Sequence, residues 1–196
     1  MVVVVIITAL SALAIPSIIK QMRDRRTRQA AEEIASLYRQ ARLRALGRGS
    51  AVLVRYDRTA GTYATLEAVI GPGTGAPATA GCVQLPVANC ATTNWAGTGA
   101  QLLSTWTVPL GMRSEVYADL TKGGSGTVAP GTDRGSLDVC FTPMGRTLIR
   151  DLAANPLQTM SGVPVIRVSG ADTTRLKRHV VIPPNGLART DVALLL

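Results

Sequence analysis

MVVVVIITALSALAIPSIIKQMRDRRTRQAAEEIASLYRQARLRALG, residues 1–47, changes character at Lys20 without any break in its helical pattern. Up to Ile19 the only polar side chains are Thr8, Ser11 and Ser17, whose hydroxyls can bond back to a carbonyl one turn earlier. About 20 apolar residues span a bilayer, so residues 1–19, with Val2, Val5, Ile6, Leu10 and Leu13 as the apolar body, are expected to be a transmembrane helix. Pro16 removes one backbone donor and predicts a kink, which hydrocarbon or a neighbouring helix can accommodate. From residue 20 to 47 the apolar side chains Ala30, Ala31, Ile34, Leu37, Tyr38, Ala41 and Ala45 recur at i, i+3, i+4 and i+7. That spacing gives an amphipathic helix, with Arg28, Arg39 and Arg42 towards water and Ile34, Leu37 and Ala41 towards a core. Gly47 and Gly49 mark its end. A cleaved signal peptide is the competing reading, since Ala12-Leu13-Ala14 has a small-x-small form. It lacks a basic segment ahead of the apolar run and would require a cut just before Pro16.

Residues 48–196 amount to about one ordinary domain. The chain holds 19 Gly and 11 Pro with only 4% aromatic residues, a composition of loop-rich β structure. Strands are predicted at 51–56, 62–70, 101–108, 112–120, 136–142, 146–152, 163–169 and 176–182, joined by Gly-, Pro- and Asp-containing turns. The segment 71–100 has little periodicity, and a loop that long in a compact domain is functional or mobile. It contains Cys82 and Cys90, while Cys140 sits in a predicted strand. Three cysteines allow three pairings. Cys82 with Cys90, closing a short ring in an oxidising compartment, is preferred, and Cys140 is read as a small buried hydrophobe. A single histidine and the wide cysteine spacing supply no zinc ligand set.

No constellation for catalysis emerges. His179 stands in a strand between Arg178 and Val180, without a G-x-S-x-G elbow or a paired cysteine motif, and is read as a solvated strand residue. The segments 71–75 and 123–126 are Gly-rich but lack the Gly-Lys-Ser/Thr ending of a phosphate loop. The chain is therefore expected to be no enzyme and to need no cofactor or metal. Its formal charge of +9 favours acidic partners. Lys20, Arg23, Arg25, Arg26 and Arg28 crowd the end of the apolar run, where anionic head groups attract each cation by about 1 kcal/mol. Basic residues beside a membrane helix normally stay cytoplasmic, a conflict with an oxidising compartment. A second cluster, Arg167, Arg175, Lys177, Arg178 and Arg189, could contact phosphates, including DNA, by clustered charge alone. A solvated strand face is the preferred reading of that cluster.

The run MVVVVIITALSALAIPSIIKQ resembles the N-terminal segment of type IV pilins and type II secretion pseudopilins. SLYRQARLRALGRGSAVLVRYD, LDVCFTPMGRTLI and HVVIPPNGLAR resemble the GspH/FimT group of minor pilins within that superfamily. The resemblance implies an α+β fold in which a long N-terminal helix packs on an antiparallel β-sheet, with the apolar half stored in the inner membrane and the domain in the periplasm of a bacterium. It implies a minor pseudopilin or pilin that enters or initiates the filament of a type II secretion system or type IV pilus. The implied partners are other pilins, inner-membrane lipids and the assembly platform of the machine. Small residues Ala9, Ser11, Ala12 and Ala14 would allow close helix approach in membrane or filament. Such proteins carry a basic leader, a glycine for the prepilin peptidase, a methylated aromatic and a glutamate. None of these precedes the apolar run here, so the chain is expected to be N-terminally incomplete, with peptidase processing and methylation conditional on a leader upstream. The FimT branch is associated with DNA capture through a Gly-Arg-x-Arg turn. Only Gly186 and Arg189 of Gly186-Leu187-Ala188-Arg189 match, so a DNA-uptake pilin is the second reading and a secreted basic binding protein the third.

Overall fold

The computed structural model describes residues 2–70, 85–97, 99–117, 135–151, 155–160, 162–170 and 177–191, with side chains of residues 2–20, 70, 85, 86 and 117 left aside. One helix, α1 (Val2–Arg48), opens the chain. It runs through Gly47 and stops where Gly49, at φ +71°, takes a conformation that L side chains rarely adopt and donates its N–H to Ala45 O at 3.1 Å. The kink expected at Pro16 concerns a residue whose side chain lies outside the description.

Eleven strands follow among the described residues. They are β1 (Val52–Asp57), β2 (Thr62–Ile70), β3 (Leu85–Pro86), β4 (Ala100–Thr107), β5 (Met112–Tyr117), β6 (Leu137–Phe141), β7 (Thr147–Arg150), β8 (Gln158–Thr159), β9 (Val165–Gly170), β10 (Arg178–Val181) and β11 (Arg189–Asp191). All pairings are antiparallel, so the predicted α+β class, a long helix on antiparallel sheet, is the observed one. The strands form two sheets rather than one. The first has the order β3-β2-β1-β6-β7-β8 with β4 also on β2, and the second is β11-β10-β9-β5.

The helix joins them. Thr27, Ala30, Ala31, Ile34, Ala35, Tyr38, Ala41 and Ala45 are buried along one face. The same cluster takes in Val52, Val54 and Tyr56 of β1, Leu137, Val139 and Phe141 of β6, and Val116, Ile166, Val168 and Val180 of the second sheet. Ile34 and Ala41 face the core as their spacing requires, whereas Leu37 is only partly buried at its margin. Tyr38 sits edge-on to both Tyr63 and Phe141, each at 6.5 Å. The two sheets are also tied directly, because Tyr56 donates its hydroxyl proton to Ser114 O and Tyr63 bonds the Ser114 hydroxyl.

The outer face of the first sheet has a smaller core of its own: Ala51, Leu53, Ala68, Cys90, Trp95 and Cys140. Here the preferred cysteine pairing is corrected. The disulfide joins Cys90 to Cys140, with Cα atoms 6.2 Å apart, and Cys82 lies outside the described residues. The sheet register explains the outcome. Cys140 lies opposite Leu53, which faces outwards, and the loop carrying Cys90 is held over that face by Ala51 N–H to Val87 O at 2.6 Å and Val87 N–H to Ala68 O at 3.0 Å. Proximity in sequence favoured a short ring; proximity across the sheet decided the bond.

Candidate functional site

The helix presents two surfaces with different chemistry. Its inner stripe is mostly alanine, which brings the backbone close to the sheets, with Ile34 and Tyr38 as the large side chains. Its outer surface carries Arg25, Arg26, Arg28, Glu32, Glu33, Arg39 and Gln40, with Leu43 and Leu46 exposed near the end. Arg28 and Glu32 form an i, i+4 pair at 2.8 Å, whose hydrogen bond raises the Arg28 pKa; such exposed pairs contribute little to stability. Among the described residues no helix is long and apolar enough to cross a membrane. Val2, Val5, Ile6, Leu10, Leu13 and Pro16, the residues assigned to a membrane or filament helix, lie in α1, but their side chains are outside the description.

Two buried carboxylates fasten the domain. Glu67 is fully buried on the inner face of β2, accepts from Ser50 Oγ at 2.8 Å, and is reached by Arg44 at 2.7 Å and Arg48 at 3.0 Å. The last turns of α1 are thereby bound to the sheet they feed. Asp138, on the outer face of β6, accepts a bidentate pair from Arg55 at 2.9 and 3.0 Å and a further bond from Arg150 at 2.8 Å. Sequence reasoning missed both. A signal existed for Glu67, since it is in phase with Tyr63 and Thr65 on the buried side of its strand.

The C-terminal basic cluster is partly neutralised within the fold. Arg167 pairs with Glu115, its cross-strand neighbour, and Arg178 reaches Asp24 of α1 at 3.0 Å. Arg189 lies 3.6 Å from Asp191 in an exposed pair, Lys177 is half-buried, and Arg175 lies outside the described residues. His179 stands opposite Arg167 and Asp191 in the second sheet. Burial lowers its pKa, and the Arg167 and Lys177 charges lower it further, against a smaller opposing effect of Asp191. Gly186, the turn glycine singled out in the sequence, has φ +72° and is pressed against the helix: a Cβ there would meet Phe141 Cε1 at 2.9 Å and Arg42 Cδ at 3.0 Å. Its place is explained by packing. No set of three His, Cys, Asp or Glu side chains among the described residues could hold a metal ion.

The chain is similar to the crystal structure of the minor pseudopilin EPSH from the type II secretion system of Vibrio cholerae. The identity is 13% and the TM-score 0.43, over 86% of this chain and 94% of that one. No family model matches the chain, and no curated protein does.

Proposed function

We propose that this chain is a minor pilin-type subunit, anchored by the first half of α1 in the inner membrane with its domain in the periplasm. From there it enters or initiates the filament of a type II secretion or type IV pilus machine. The observation that carries this reading is the division of α1. The helix has 47 residues, about 70 Å at 1.5 Å per residue, yet the first buried side chain of its described part is Thr27. Residues 2–26 would extend about 37 Å, more than the roughly 30 Å of a hydrocarbon core, and their first 18 residues are the apolar run. A helix of that length and composition needs a second apolar environment, lipid in storage and neighbouring helices after assembly. The resemblance of residues 1–21 to pilin N-termini supports the same reading.

The function assigned is packing, with no catalytic step and no cofactor. DNA capture ranks second, because Arg167, Arg178 and Arg189 each have a carboxylate partner within the fold. Deleting the gene in its native host should abolish secretion through, or piliation by, the machine it serves. The full chain should restore the function, and a chain starting at Arg26 should not. Restoration by the shortened chain would contradict the proposal.

A further inference from the structure

We propose that the end of the domain from which α1 emerges is a docking face for an anionic lipid surface, built jointly by the helix and the second sheet. The inference rests on the anchored-helix reading and adds the sheet to it. Burial fixes the exit: Gln21, Met22 and Arg23 are exposed, Asp24 is half-buried, and Thr27 is buried. Arg178, the first residue of β10, reaches Asp24 at 3.0 Å, so that end of the second sheet stands beside the exit. The register carries this level across the strands. Arg178 lies opposite Val168, and Arg113 lies opposite Ser169, one row further out, on the side to which Lys177 belongs. Two of the five residues of the C-terminal basic cluster, Lys177 and Arg178, together with Arg113, therefore meet the basic collar of the helix at one end of the molecule.

The collar is a ring. At about 100° per residue, Arg23, Arg25, Arg26 and Arg28 fall near 0°, 200°, 300° and 140° around the axis. Among the described residues no carboxylate pairs with Arg23, Arg25, Arg26, Arg113 or Lys177, in contrast to Arg178 on Asp24 and Arg28 on Glu32. Asp24 stands about 8 Å along the axis from Ile19, the last residue of the apolar run. That distance is about one Debye length at physiological salt and similar to the depth of a headgroup layer. Cations at the exit are thus at the height of lipid phosphates whenever the apolar run is in the bilayer. Duplex DNA offers the same phosphates, but a ring surrounding the anchored stem faces the bilayer and leaves a duplex no room. Docking both the helix collar and the sheet fixes the tilt of the domain over the membrane, which a collar on the helix alone would not.

The test uses the full chain in nanodiscs of phosphatidylcholine, alone or mixed with phosphatidylglycerol, with the acetylation rate of Lys177 read by mass spectrometry. Lys177 should react roughly fivefold more slowly in the anionic discs, with the difference removed by high salt. Arg113→Gln, and separately Arg25→Gln with Arg26→Gln, should each restore a large part of the reactivity. Equal Lys177 rates in the two lipids, or protection indifferent to Arg113→Gln, would overturn the proposal. Protection by duplex DNA in the zwitterionic discs, without any dependence on lipid charge, would overturn it in favour of nucleic acid. A chain that co-elutes with neither disc would refute the anchor as well, an outcome distinct from an anchored chain whose Lys177 ignores lipid charge.

Discussion

On its inner face the first sheet is covered by α1, a single covalently continuous element that also covers the second sheet; on its outer face it is covered by the loop around Cys90, Trp95 and their neighbours. The inner closure draws on a long stripe of buried side chains and on Tyr38, Tyr63 and Phe141 in edge-on contact. The outer closure is a small cluster with one disulfide, reinforced by the Trp95 indole N–H donating to Cys90 O at 2.9 Å. A helix packed on one face of a sheet can stiffen only that face. The other face is held by a crosslink, which needs little area.

The largest effect should come from breaking the inner closure. Ile34→Asp places an unpaired charge in the shared core and should cost more than about 4 kcal/mol in denaturant unfolding, whereas Arg39→Asp on the exposed surface should change stability by under about 0.5 kcal/mol. Equal losses would mean that the helix face is wrong. Reducing the disulfide should open only the outer closure. The bond spans 50 residues of chain, for which loop entropy gives about 4 kcal/mol, and Trp95 fluorescence should respond before the far-ultraviolet helix signal does. Simultaneous loss of both signals would show that the two faces are not separable.

The two carboxylates sharpen the comparison. Around Glu67 the arginine side chains are 38% and 50% exposed and can turn to water if the charge is removed. Around Asp138 they are 26% and 11% exposed and cannot do so as readily. Asp138→Asn should therefore cost about 3 kcal/mol and Glu67→Gln about 2 kcal/mol, a ranking that urea melts of the two variants would test. The smallest effect should be a gain. Among the described residues nothing lies within hydrogen-bonding reach of the buried Tyr38 hydroxyl, and burial drives its pKa upwards. Tyr38→Phe should thus stabilise the protein by about 1 kcal/mol, and a loss instead would reveal a partner for that hydroxyl.

The helix and its face were legible because a 3.6-residue period persists from Ala30 to Ala45, and the longer strands because turn residues bracket each of them. The strands β3, β8 and β11 are two or three residues long, too short for any alternation to show. The division into two sheets was also invisible: pairing is a matter of long-range register between strands distant in sequence, which no local pattern records. The cysteine partner was misread for the same reason, since Cys90 and Cys140 meet only through the register of β1 with β6. In the basic cluster the residue types were apparent, but not that Asp24, far away in sequence, would engage Arg178 and carry the sheet to the mouth of the helix.

The central claim is that one helix serves two solvents, domain core beyond Thr27 and lipid or helix before Lys20. Alkaline carbonate extraction of membranes from cells expressing the full chain tests it most directly, with a chain starting at Arg26 as the reference. The full chain should stay in the membrane pellet after extraction, while the shortened chain, exported behind an added cleavable secretion signal, should be recovered in the soluble periplasm with its disulfide formed. Recovery of the full chain in the soluble fraction would contradict the account.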